Sequence, residues 1–238
     1  MMRSFAMILV VAVLLLPISI QAQTDSYGVD VSSGNSVTWD VEIGTNFTLW
    51  YTGGGYCAIE NGSTMVFDIS DVNLDVFGTL NIGNVTVQAN DTMVALDLTL
   101  GIWPNFLPGL FIEVGQQKID TLNESAYAAA DRVLGNWMNG TITSRYENIS
   151  VGNVLQECIV FDYEQDLPGT QVTHLAYSLV TGILVEADTS VTFGSTYRLV
   201  LSLKGDSGTD LGGLIVIASG GLLAVIIIAY VKLSHKKS

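Results

Sequence analysis

Alternation dominates the first half of the chain. Val37, Trp39, Val41 and Ile43 are interleaved with Thr38, Asp40 and Glu42, and Phe47, Leu49 and Tyr51 with Asn46, Thr48 and Trp50. The same period returns at Met65, Phe67 and Ile69, then at Val72, Leu74 and Val76 between Asp71, Asn73 and Asp75. It recurs at Val85 and Val87, and again at Val94, Leu96, Leu98 and Leu100. A period of two sends successive side chains to opposite faces, so these stretches predict antiparallel strands with one wet face. Glu60-Asn-Gly-Ser63 predicts a hairpin turn, because Asn-Gly suits a type I′ geometry. Gly53-Gly54-Gly55 marks a flexible joint or a close backbone approach.

The pattern breaks at Gly101–Glu113, where two prolines and two glycines argue for a loop. That loop carries Trp103, Phe106, Leu107, Leu110 and Phe111, so something must cover it. The protein's own core is one cover. A lipid, a partner or a nearby membrane is another, which makes these five the candidate hydrophobic-contact residues. Thr121-Leu-Asn-Glu124 reads as a capping box, and Ala126, Ala130, Val133, Leu134 and Trp137 share a face at helical spacing. A helix over Ala126–Met138 is predicted, ended by Asn139-Gly140. Strands resume over Thr141–Tyr146, Val154–Tyr163, Gln171–Leu179, Ile183–Thr189 and Ser195–Leu203, with turns at Leu167–Thr170 and Thr181-Gly182. The expected fold is mainly β. It is a curved antiparallel sheet or a β-sandwich-like arrangement with one packed α-helix.

Two apolar runs frame this domain. Leu211–Val231 is uncharged and, as a helix, would span about 31 Å, the thickness of a bilayer core. It predicts a single C-terminal transmembrane helix. Met1–Ala22 has a short basic start, an apolar centre and a small residue at its end, the pattern of a secretory signal peptide. An uncleaved anchor helix is the competing reading of the same run. The predicted organisation is a signal peptide at 1–22, an extracellular β-rich domain at 23–204, a linker at 205–210, the span at 211–231 and a tail at 232–238. Gly220 and Ala224 form a small-xxx-small pair in the span, which predicts a homodimer contact.

Charge orients the chain. The protein carries a formal net charge of −14. All 23 acids lie between Asp25 and Asp210, against five bases, whereas the tail holds three lysines and no acid. Basic ends stay inside, so the N-terminal domain is expected outside a cell membrane and the tail in the cytoplasm. A basic end also fits a sorting tail that is removed, but 205–210 holds no recognisable cleavage motif. An extracellular domain this acidic repels phosphates, which argues against nucleic-acid binding.

Two cysteines, Cys57 and Cys158, predict one disulfide in an oxidising compartment. It would close a loop of about 100 residues, stabilising by up to about 5 kcal/mol. Asn-x-Ser/Thr triplets occur at Asn46, Asn61, Asn84, Asn90, Asn123, Asn139 and Asn148. Chance placement of the same residues gives roughly two or three, so seven argue for a glycoprotein.

Other chemistry is thin. Asp71-Val-Asn-Leu-Asp75 resembles the start of a calcium loop but lacks its glycine and its closing acid. Asp162, Glu164 and Asp166 read as a solvated strand end. His174 is the one histidine between the two apolar runs and has no ligand-spaced partners. No Gly-x-Ser-x-Gly elbow and no phosphate-binding glycine loop is present. No catalytic residue, metal or cofactor is predicted.

The opening strand Gly34-Asn-Ser-Val-Thr-Trp39, the late hairpin from Tyr177 through Thr181-Gly182-Ile-Leu184, the acidic sequon-rich domain and the C-terminal span resemble archaeal "choice-of-anchor" surface proteins, including those of Asgard-type archaea. That resemblance implies a surface location and supplies no catalytic residue. The late meander is also similar to the curved sheet of lipoprotein-carrier folds, which implies an apolar concavity for lipid. Three functional expectations follow. The first is a glycosylated, non-enzymatic surface protein that binds an extracellular partner or builds the envelope. The second is a binder of lipid or another hydrophobic ligand, and the third an extracellular hydrolase.

Overall fold

The computed structural model describes residues 28–102, 105–136, 139–166, 171–193 and 195–205. The signal peptide, most of the linker, the transmembrane span and its Gly220/Ala224 pair lie outside the described residues. No helix among the described residues is long and apolar enough to cross a membrane.

The domain is mainly β, as the alternation predicts. Its strands are β1 (Ser36–Gly44), β2 (Phe47–Leu49), β3 (Gly55–Cys57), β4 (Ser63–Val72), β5 (Val76–Ile82), β6 (Val85–Asn90), β7 (Gly140–Val151), β8 (Val154–Gln165), β9 (Val172–Ser178), β10 (Leu184–Phe193) and β11 (Ser195–Leu203). Nine form one antiparallel sheet in the order β6-β5-β4-β1-β11-β10-β9-β8-β7, and β2 pairs with β3 in a small separate hairpin. The first strand pairs with the last, Trp39 opposite Leu203. This joins the N-terminal hairpins to the C-terminal meander, so a single sheet replaces the sandwich alternative.

One face of that sheet holds the main core. Trp39, Phe67, Leu80, Phe161, Leu175, Tyr177 and Leu201 all point into it. Two helices cover this face, α1 (Asp91–Asp97) and α2 (Gln116–Val133). The other face is mostly wet, except where Ile149, Val151, Cys158, Val160, Ala176 and Val185 form a second small cluster. Alternation along β8 divides it between the two, Ile159 and Phe161 going one way and Cys158 and Val160 the other.

Four local expectations are corrected. Val94–Leu100 is not a strand: the Asn90 side chain accepts a hydrogen bond from Met93 N at 2.7 Å and starts α1. Val94, Ala95 and Leu98 then reach the core at helical spacing. The long helix starts ten residues before Ala126 and ends at Val133. Thr121 therefore lies inside it, bonding back to Gln117 O rather than capping. Val72–Val76 is interrupted by a turn at Asn73–Asp75, which leaves Leu74 85% exposed. Asn61-Gly62 turns the chain, but the strands on either side of it pair elsewhere, β3 with β2 and β4 with β1.

Candidate functional site

The apolar loop is packed inside the domain. Leu98, Leu100, Ile102, Phe106, Leu110 and Phe111 are all buried in the main core. Phe111 meets Trp39 edge-on at 6.4 Å between centroids, and Phe106 meets Phe161 at 5.2 Å. The loop fills the covered face of the sheet that a carrier would leave open. Phe106, Leu110 and Phe111 are therefore core residues rather than contacts for a ligand. Leu107 is half-buried, and Trp103 lies outside the described residues.

An irregular segment inside a core needs partners for its carbonyls. The sheet supplies them. Tyr197 Oη donates to Leu98 O at 3.0 Å, Thr189 Oγ1 to Thr99 O at 2.9 Å, Gln171 Nε2 to Gly101 O at 2.6 Å and Tyr177 Oη to Gly109 O at 2.9 Å. Leu184 N donates to Leu110 O and Ile112 N to Gly182 O, which stitches the loop end to the turn before β10. A groove of about 390 Å³ remains on the outside, between Pro108–Glu113 and Gln117–Ser125 of α2. It is lined by helix and loop residues, not by strand faces.

Among the described residues Asp91 is the one acid with no exposed surface. Its Oδ2 accepts hydrogen bonds from Leu110 N at 2.9 Å and Phe111 N at 3.1 Å. Its Oδ1 is sealed from solvent with no N–H or hydroxyl donor, and the Asp75 carboxyl lies against the group. Burial, and next the hydrogen bond and charge of Asp75, push the Asp91 carboxyl well above the usual range, against the opposing pull of the two N–H groups. The sequence gives Asp75 only as one acid of an alternating stretch, and no local pattern joins it to Asp91. Of the calcium-like stretch, Asp71 and Val72 end β4 and Asn73–Asp75 form the β4–β5 turn. No cluster of three metal-ligating side chains exists among the described residues.

His174 lies on the wet face. Its Nδ1 is 2.7 Å from Asp162 Oδ1, and its Nε2 is 4.0 Å from Glu186 Oε2. Asp162 also pairs with Arg145. Burial pushes the Asp162 carboxyl up, but the hydrogen bonds and charges of His174 and Arg145 outweigh it and hold the group below the usual range. The imidazole faces carboxylates on both nitrogens. A hydrolytic triad needs a hydroxyl or thiol in one of those places. This is an ion-pair strip on an open strand face, continued by Arg198 on Asp188 at 2.8 Å.

The predicted disulfide is not formed. Cys57 and Cys158 are both buried free thiols. Cys57 packs in the main core and Cys158 in the cluster on the opposite face, with the sheet between those two clusters. Desolvation pushes Cys57 up to about 11 and Cys158 to about 12, neighbouring acids adding to the latter. Both are inert positions at neutral pH.

The two ends of the sheet differ in kind. At the end where β11 begins lie Asn46, Asn61, Asn84 and Asn139, each at a turn or strand entry. The first three are exposed. Asn46 Oδ1 accepts from Ile59 N, Asn61 Oδ1 from Gly44 N and Asn84 Oδ1 from Ala58 N. These bonds fix each amide through its oxygen. The β2–β3 hairpin is at the same end, and the Asp97 carboxylate holds it through Tyr51 N, Thr52 N and Thr52 Oγ1. That clamp leaves Trp50 79% and Tyr56 61% exposed, an aromatic surface absent from the sequence expectations. Asn90 is committed to the α1 cap, Asn123 has a buried Oδ1 on α2, and Asn148 is exposed on β7. The chain matches no protein-family model, no curated protein and no solved structure.

Proposed function

We propose that this chain is a single-pass, glycosylated cell-surface protein with a non-enzymatic extracellular domain that binds a partner or builds the envelope. One observation carries the reading. Four sequons gather at the end of the sheet where β11 begins, whereas the chain leaves β11 at the other end, toward the linker and Leu211–Val231. Glycans on the first end and a bilayer at the second do not compete for space. The aromatic hairpin of Trp50, Tyr51 and Tyr56 is carried at the glycan end, where a partner from outside can reach it.

The test uses intact cells that express the native chain. Protease treatment should remove the domain, while a tag after Ser238 stays protected. Glycopeptide mass spectrometry should find sugar on Asn46, Asn61 or Asn84. A soluble, unglycosylated product in the cytoplasm would overturn the reading.

A further inference from the structure

The end of the sheet from which the chain departs has a composition of its own. Three turns lie at that end: Asn73–Asp75 between β4 and β5, Gly152-Asn153 between β7 and β8, and Leu179–Gly182 between β9 and β10. They and their first strand residues carry Leu74, Val154, Leu155 and Val180, which are 85%, 47%, 69% and 58% exposed. The opposite end exposes Trp50, Tyr51 and Tyr56, together with Leu134 and Val172, and carries the turn sequons. Apolar turn tips are costly in water and are a usual sign of a surface that is covered.

The position of the chain exit names the cover. Lys204 N donates to Thr38 O at the start of β1, which keeps the chain in the sheet to that point. Gly205 then passes directly against the β7–β8 turn: a Cβ there would come within 2.8 Å of Gly152 Cα. Only the linker separates this point from Leu211, and its six residues reach about 20 Å at most. Any bilayer that holds Leu211–Val231 therefore lies within about 20 Å of the β7–β8 turn, beyond this end of the sheet. Asp71 and Asp75 flank Leu74, so the face suits zwitterionic headgroups better than anionic ones.

Building on the membrane-anchored reading above, we propose that this end is a membrane-resting face. Leu74, Val154, Leu155 and Val180 enter the interfacial zone of a zwitterionic bilayer and hold the sheet upright on it. The domain is then not free on its linker. Its strands stand off the surface, and the aromatic hairpin and the turn sequons are presented on the far side.

The test reconstitutes the full chain in phosphatidylcholine liposomes. An environment-sensitive fluorophore is attached at Leu155→Cys, at Val180→Cys and, as the far-end control, at Asn61→Cys. The parent chain, with its two buried thiols, gives the background. Flotation first reports whether the chain is anchored. Doxyl-labelled lipid should then quench the label about threefold or more strongly at positions 155 and 180 than at 61. Failure to float overturns the anchored reading and this proposal with it. Flotation with equal quenching at all three positions overturns the membrane-resting face alone and leaves the anchor standing.

Discussion

The carboxyl of Asp91, buried in the core, lies against that of the half-buried Asp75. A proton on Asp91 relieves the contact, and losing it places a buried negative charge beside the Asp75 carboxyl. Asp91 has a folded-state affinity for its proton above that of the unfolded chain, where an aspartate titrates near about 3.9. The sign follows. The contribution is fully present below that unfolded value and is lost as pH rises through the raised folded one. Asp91→Asn keeps an acceptor for Leu110 N and Phe111 N and offers an amide to Asp75. It is expected to raise the melting temperature at pH 7 to 8 and to flatten this part of the pH profile. Asp91→Ala leaves two buried N–H groups unpaired and should cost about 1–3 kcal/mol each. Thermal denaturation across pH 4 to 9 separates the two variants. A lower melting temperature for Asp91→Asn at pH 8 would refute the raised Asp91 affinity for its proton.

Asp162 has the opposite sign. Its carboxyl is held low by His174 and Arg145, so its contribution is present above the unfolded aspartate value and lost as pH falls through the folded one. The pair is substantially solvated and screened, so Asp162→Asn should cost within about 1 kcal/mol at pH 7. The difference from the parent should vanish toward pH 2. A loss of several kcal/mol in urea titrations would mean that the strip is more than a surface network.

Gly109 is fixed on several sides. Its φ is +87°, a Cβ there would collide with Asp91 Oδ2, and its carbonyl accepts from Tyr177. Gly109→Ala should cost about 2 kcal/mol or more, from left-handed strain plus displacement of the acid. Tyr177→Phe orphans a buried carbonyl and should cost about 1–2 kcal/mol. Chemical denaturation of both variants checks this. Near-neutral results would mean that the loop is loosely held.

The thiols give a direct chemical test. Neither Cys57 nor Cys158 should react with a maleimide at pH 7 in the native protein, and both should react in denaturant without reductant. Two adducts counted by intact-mass spectrometry are expected. No adducts in denaturant would restore the disulfide.

Most strands were legible because alternation is a local property: Val37 to Ile43 and Ser195 to Leu203 show it without reference to the rest of the chain. The same rule misread Val94 to Leu100, where apolar residues at 94, 96, 98 and 100 satisfy a strand and those at 94, 95 and 98 satisfy a helix. Asn90 tips the balance, through a cap bond that periodicity does not weigh. The site features were harder to foresee because they join distant positions. Asp75 meets Asp91 across a strand pair, and Asp97 clamps a hairpin more than forty residues earlier in the chain. The cysteine expectation failed for the same reason. Parity of count says nothing about which face of a sheet each thiol occupies.

The sheet has two open edges, and β7 is the longer. Every second one of its twelve residues turns its N–H and C=O outward, a template on which another chain could continue the ladder. Helix α2 occupies part of it, with Tyr127 Oη taking the N–H of Ser144 at 3.2 Å. Beyond that point the edge carries the opposed charges of Arg145 and Glu147 and then the exposed sequon of Asn148. A sugar at Asn148 would stand where a tenth strand has to arrive. Glycosylation of this edge would therefore act as a brake on self-association, and crowded copies on one membrane could pack side by side without their sheets merging.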